Sequence, residues 1–231
     1  MKLGRAVILL VLLLPPTLSA TLRLDYYYDQ SGMFTKFSDW IPKRLHQWQP
    51  QFVEDFFLLY SLKQLSQQEE IRRNIFFLKI ALQKKFRHPR EALCLIQNPQ
   101  EYHKYRLMLH MHLNLQIMRS YLRLASLFDK RHLYFYNLDF APELKNSFQV
   151  AEGYYRESMP YWKKARDLAL EASSYNFEID MPGLESIRAD ILAGDIDYTV
   201  FTGNHLLRLK QKQQEVDAWL AQKPATQPQN P

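Results

Sequence analysis

The chain has 231 residues, of which 47% are hydrophobic and 14% aromatic, with six glycines, one cysteine and a formal net charge of +6. Six glycines are too few for the many turns of an all-β protein. A single thiol excludes a framework of internal disulfides, so stability has to come from a packed core.

Residues 1–20 have the layout of a secretory leader. Lys2 and Arg5 supply the positive start, Ala6 to Leu14 is uninterruptedly apolar, Pro15 and Pro16 break the run, and Thr17 to Ala20 offers small residues for cleavage. The apolar run is much shorter than the roughly 20 residues of a spanning helix. A leader retained as an anchor, holding the protein at a membrane surface, is the alternative. Removing Lys2 and Arg5 lowers the formal charge from +6 to +4. One cysteine and no Asn-x-Ser/Thr acceptor suit a bacterial periplasm better than an animal extracellular space. Export also argues against nucleic acid as a partner.

Residues 21–40 form an aromatic arm carrying Tyr26, Tyr27, Tyr28, Phe34 and Trp40. Tyrosines combine a rigid apolar ring with a polar tip and are frequent at interfaces, so these five residues are candidate partner-binding groups. Trp40 and Trp48 bracket a short helix with Ser38 as its cap. Pro50 starts another helix, with Phe52, Val53, Phe56, Phe57 and Tyr60 as its apolar stripe. Ser66 to Glu69 reads as a capping box opening a helix to about Arg87, with Ile71, Ile75, Leu78 and Leu82 inside. Pro89 and Pro99 bound a short helix containing Cys94, a small apolar residue rather than a reactive thiol.

Gln100 to Phe128 is the central stretch. Leu109 to Ile117 alternates apolar and polar like a strand. Yet the run is too long for one strand, lacks turn residues and is rich in Leu, Met, Gln and Arg, which favours helix. On a helix, His112, Gln116, Arg119, Arg123 and Ser126 form one narrow polar stripe, and the flanks either side are apolar. A helix apolar on two flanks has to be packed on two flanks. His103, His110 and Asn114 share a side within the apolar sector. They are candidates for a ligand or metal pocket, or simply hydrogen-bond to neighbouring helices or reach the surface at an edge of the sector.

Arg131 to Phe140 is an aromatic connection that adds Tyr134 and Tyr136 to the candidate partner-binding groups. Pro142 opens a helix to about Ser158, Pro160 breaks it, and a second helix runs to about Ser174. Gly183 and Gly194 bracket a short helix, with Asp195 and Asp197 serving a turn or cap. Thr202 or Asn204 caps a last helix to about Gln222, and residues 223–231 form a Pro- and Gln-rich disordered tail. Charge is unevenly spread. Residues 63–131 carry 14 Lys and Arg against 5 Asp and Glu, whereas residues 132–222 carry 9 against 14. Such a basic stretch meets an acidic partner, packs near the acidic half, or simply forms solvated helix faces.

Residues 146–174 resemble one tetratricopeptide-type helical hairpin. Gly153 and Ala165 sit at the family's close-contact spacing, Ala169 and Ala172 continue that face, and Pro160 falls at the turn. Gln149, Glu152 and Arg156 depart from it, and no second copy follows. The leader, the Tyr- and Leu-rich helices and aromatic segments such as Tyr134 to Tyr136 resemble exported helical proteins of spirochaetal periplasmic flagella, including the flagellar-coiling type. That resemblance implies a structural role beside a filament and transfers no residue.

The expected fold is all-α: an irregular helical bundle around a long central helix, occupying residues 41–222, with the hairpin at 146–174. No phosphate loop, dinucleotide fingerprint, HExxH, nucleophile elbow or CxxC occurs. The expected function is a non-catalytic structural or adaptor protein of a bacterial envelope, without cofactor or metal. Its partner would be a protein, with a membrane surface or a second copy of the chain as alternatives. A small-ligand module or hydrolase using His103, His110 and Asn114 is the competing expectation.

Overall fold

The structure, a computed structural model, describes residues 50–61, 65–130 and 138–222. The leader, the arm with Tyr26, Tyr27, Tyr28, Phe34 and Trp40, the connection with Tyr134 and Tyr136, and the tail lie outside the described residues. The rest belongs to one unit beginning at Pro50. It is all-α, with six α-helices and no strand among the described residues: α1 Val53–Tyr60, α2 Gln68–Ala81, α3 Pro99–Phe128, α4 Ala141–Ala172, α5 Pro182–Ala193 and α6 Tyr198–Gln222. None of these helices is long and apolar enough to cross a membrane.

The Asp55 carboxylate ties off the start of α1 by accepting from the Gln51 and Phe52 N–H groups at 2.9 and 3.0 Å. Val53, Phe56, Phe57 and Tyr60 are then buried at helical spacing. The start of α2 differs from the sequence expectation. Its cap position is Gln67, with no side-chain cap bond, so the Ser66 to Glu69 box does not form, and Glu69 and Glu70 face the helix dipole instead. The helix ends at Ala81 rather than Arg87, and the chain beyond it pairs with the start of α1, where the Lys85 carbonyl accepts from Val53 N–H at 3.1 Å. His88, ahead of Pro89, is extended with ψ 146°. The expected helix around Cys94 is only a 3₁₀ turn, Pro89–Glu91. Side chains of α3 hold this loop: Tyr102 donates to the Arg87 carbonyl at 2.6 Å, and Tyr105 accepts from Leu93 N–H at 3.2 Å.

The central helix α3 is as the sequence indicates, with Leu109 to Ile117 helical throughout. Asn98 caps it by accepting from Glu101 N–H at 2.9 Å. Leu107, Met108, Leu109, Met111, Leu113, Leu115, Ile117 and Met118 are all buried, so the rod is covered on both flanks. Its expected polar stripe is interrupted. His112 is only 4% exposed, because Phe57 of α1 lies edge-on to it with ring centroids 5.2 Å apart.

The hairpin at 146–174 is not formed: α4 runs without a break from Ala141 to Ala172, with Pro160 inside it. The reason lies in burial. Tyr155, Ser158, Trp162, Ala165, Leu168 and Ala169 recur every three or four residues and are buried, so one continuous stripe crosses the proline. Pro160 itself is on the exposed face. Ala165, Ala169 and Ala172 do permit a close approach, but to the core around α3 rather than to a hairpin partner. Gly153 is exposed, and a Cβ there would meet nothing within 4 Å. An interior proline costs about 3 kcal/mol relative to alanine, partly offset because it also restricts the unfolded chain. Pro160→Ala is therefore expected to raise stability by about 1–2 kcal/mol, read as a higher urea midpoint with an unchanged slope. A fall in the midpoint would mean that the helix turns at this residue.

Gly194, at φ 84°, ends α5 in the left-handed conformation that glycine adopts without strain. Asp197 then accepts from Thr199 N–H at 2.8 Å, which bears out a capping role for Asp197. The last helix consequently starts before Thr202 and Asn204, and Thr202 is buried within it rather than capping it. Two hydrophobic clusters result. One joins α1, α2, α3, the second half of α4 and α5; the other joins the end of α3 to the first half of α4 and to α6.

Candidate functional site

The buried polar groups act as cross-ties between helices. Lys104 of α3, fully buried, meets Glu185 of α5 at 2.6 Å and also donates to the Phe177 carbonyl. Glu185 accepts further from Ile179 N–H at 3.1 Å and from Arg188 Nε at 2.8 Å. Burial alone would raise its pKa, but these hydrogen bonds, from Lys104 first, outweigh it and hold the carboxyl below its ordinary range. Glu54 of α1 is similarly engaged by the Tyr105 hydroxyl and Arg87 N–H, each at 3.1 Å. Asp129, at the end of α3, accepts from Tyr155 at 2.7 Å and Arg208 at 2.9 Å, joining α4 and α6. Each of these carboxylates is already engaged by groups of the fold itself.

The histidine candidates do not converge. His103 is on the surface, with its ring nitrogen 4.0 Å from Glu171. His110 packs against Phe86 with ring centroids 4.9 Å apart, and Asn114 spends its amide on the His110 carbonyl at 2.8 Å. Burial lowers the His110 pKa, and the Arg106 and Lys164 charges lower it further. No group of three metal-ligating side chains occurs among the described residues. Cys94 is half-buried, and burial pushes its thiol up to about 11, so little thiolate exists near neutrality.

One concave feature of the described surface is a shallow, open groove of about 640 Å³ that includes Pro160 in its lining. Arg156, Met159, Pro160, Lys163, Arg166 and Asp167 line it from α4, at spacings of three and four that place them on one helix face. Trp162 and Thr199 complete it, the indole N–H donating to the Thr199 hydroxyl at 2.9 Å. Tyr198 stands edge-on to Trp162 at 5.3 Å and accepts from Arg119 Nε at 3.0 Å, so this wall is braced from α3. Arg156 is held by Glu152 at 2.7 and 2.9 Å. Lys163 and Arg166 are exposed and make no ion pair among the described residues. The groove thus offers apolar surface from Met159 and Pro160, backed by the buried Trp162, beside the cations Lys163 and Arg166, with Asp167 in its lining and the Asp197 carboxylate near enough to Arg166 to feel its charge. Reading Pro160 as a helix break hid this surface. The signal for it was an aromatic residue followed by cations (Trp162, Lys163, Lys164, Arg166) beside a mid-helix proline.

The partner-binding candidates Tyr26, Tyr27, Tyr28, Phe34, Trp40, Tyr134 and Tyr136 lie outside the described residues. No curated protein and no solved structure matches the chain. A family model does match, over residues 100–219, from the start of α3 almost to the end of α6 and so including the whole groove. Since that match spans more than half of the 231 residues, the chain belongs to the family defined by the domain of unknown function DUF8513.

Proposed function

We propose that the protein is an exported, non-catalytic adaptor or structural protein of a bacterial envelope, and that it holds a protein partner in the Pro160 groove. The observation that carries this reading is the groove itself, where the exposed Lys163 and Arg166 stand beside Met159 and Pro160, braced by the Trp162–Thr199 hydrogen bond. Such a surface buries rings and aliphatic groups while its cations steer and orient an acidic partner. The buried carboxylates, each spent on a cross-tie, support a binding role over acid–base chemistry. Export rests on the leader-like first 20 residues, and a periplasmic filament such as a flagellum is the partner class suggested by the overall character of the sequence. The aromatic arm at 21–40 would supply a second contact.

The test is in-cell crosslinking from a photoreactive residue placed at position 159, with and without Lys163→Glu/Arg166→Glu. The parent surface should give one defined adduct in the envelope fraction. The charge reversal, introduced beside the same crosslinker, should cut its yield about tenfold, since two steering charges change sign. An adduct yield insensitive to charge reversal, or recovery only in the cytoplasm, would overturn the reading.

A further inference from the structure

We propose that Pro160 is itself part of the recognition surface. By having no N–H, it leaves the Arg156 carbonyl as an acceptor in the groove, and the groove therefore takes an extended acidic polypeptide, not just any anion. This inference rests on the reading of the groove as the partner site. In an α-helix the carbonyl of residue 156 would be met by the N–H of residue 160, which proline does not possess. Pro160 is exposed, and both it and Arg156 line the groove, so the helix turn that loses this bond is the turn that borders the two cations. Lys163 lies seven residues on from Arg156, roughly 10 Å along the axis at 1.5 Å per residue. An extended chain covers that distance in about three residues. Arg166 follows one further turn along, close enough for a single carboxylate to meet both cations. A polypeptide with one free N–H and an acidic side chain about three residues away would therefore satisfy the carbonyl and the cations together. A lipid headgroup, a polyphosphate or a synthetic polyacid would satisfy only the cations.

The proline also explains itself in this way. It lowers helix stability, it is on the solvent side where core packing does not require it, and the helix continues past it. A residue retained against the local preference of its helix is where function is expected to show.

The experiment uses the full chain at low salt with two carboxylate polymers of matched length, poly-L-glutamate, which carries amide N–H groups, and polyacrylate, which carries none. Pro160→Ala, which restores the missing N–H, should weaken poly-L-glutamate binding by about five- to tenfold, the worth of one hydrogen bond, and leave polyacrylate unchanged. Lys163→Gln/Arg166→Gln should weaken both. Because Pro160→Ala is expected to be the more stable protein, a loss of binding would not reflect unfolding. Unchanged poly-L-glutamate affinity in Pro160→Ala, with both polymers still weakened by the charge variant, would overturn the role of the carbonyl and leave the groove reading standing. An equal loss of both polymers in Pro160→Ala would reduce the effect to groove shape and overturn it too. Insensitivity of both polymers to the charge variant, or no poly-L-glutamate binding at all, would remove the groove reading along with the inference. Phosphatidylglycerol vesicles or polyphosphate displacing poly-L-glutamate with no dependence on residue 160 would assign the surface to phosphate instead.

Discussion

Lys104→Met is expected to destabilise the protein by about 3–5 kcal/mol, the effect of removing one partner from a buried ion pair. The side chains of Lys104 and Glu185 are 0% and 5% exposed, and the ammonium meets the carboxylate at 2.6 Å. Without Lys104, the Glu185 carboxylate keeps Arg188 and the Ile179 N–H but loses its closest counter-charge, and the Phe177 carbonyl loses a donor. The damage then comes from stranding polar groups, not from losing an attraction. Lys104→Met/Glu185→Leu should recover most of the loss, because a well-packed apolar pair of similar volume replaces a buried ion pair at little cost. Urea midpoints of the parent, both single variants and the double variant give the coupling energy directly. A Lys104→Met loss below about 1 kcal/mol would show that water reaches this pair.

The same pair marks what could be read from the sequence and what could not. The rod from Gln100 to Phe128 was legible because its evidence is local: composition, length and the absence of turn residues act within one segment. Lys104 and Glu185 are far apart in sequence, and neither carries any local sign that it will be buried. Proline misled for a related reason. Its penalty at Pro160 is local and readable, whereas the opposing gain, one buried stripe from Tyr155 through Trp162 to Ala169, exists only once α3 is in place. The capping box at Ser66 failed similarly, since an extended Gln67 takes the cap position. Caps at Asp55, Asn98 and Asp197 succeed where the side chain reaches a backbone N–H within a turn.

The groove depends on the same continuity through Pro160. Once α4 is continuous, residues 156, 159, 160, 163, 166 and 167 fall on one face. Treated as two helices joined at Pro160, they scatter. Shape here follows from a single backbone decision, and the chemistry of the site follows from the shape. The histidines show the converse. His103, His110 and Asn114 share a side of α3 as expected, but His103 is drawn to Glu171 and Asn114 to its own helix backbone, so a shared side does not become a shared site.

Acidification should weaken the protein through His112. Burial, reinforced by the Arg119 charge, lowers the pKa of this imidazole from its usual 6.5 to about 4. The ring lies under Phe57, with the Gln116 amide nitrogen 3.3 Å from its Nε2. The folded state therefore keeps His112 neutral through a range in which the unfolded chain protonates it. Between these two values the unfolded state binds more protons, so stability falls as the pH falls. The contribution is fully present above about pH 6.5 and is lost progressively toward pH 4, a total of about 3 kcal/mol. His110, lowered in the same direction, adds a loss of the same sign, so the parent curve alone does not isolate His112. The comparison is with His112→Gln, which keeps a polar side chain of similar size and cannot titrate. Its urea midpoint should drop less than the parent's between pH 7 and pH 4, with the gap opening below pH 6.5 and the two curves parallel above it. Parallel curves across the whole range would mean that His112 titrates normally and is reached by solvent, and the close cover of α1 over this part of α3 would then be wrong.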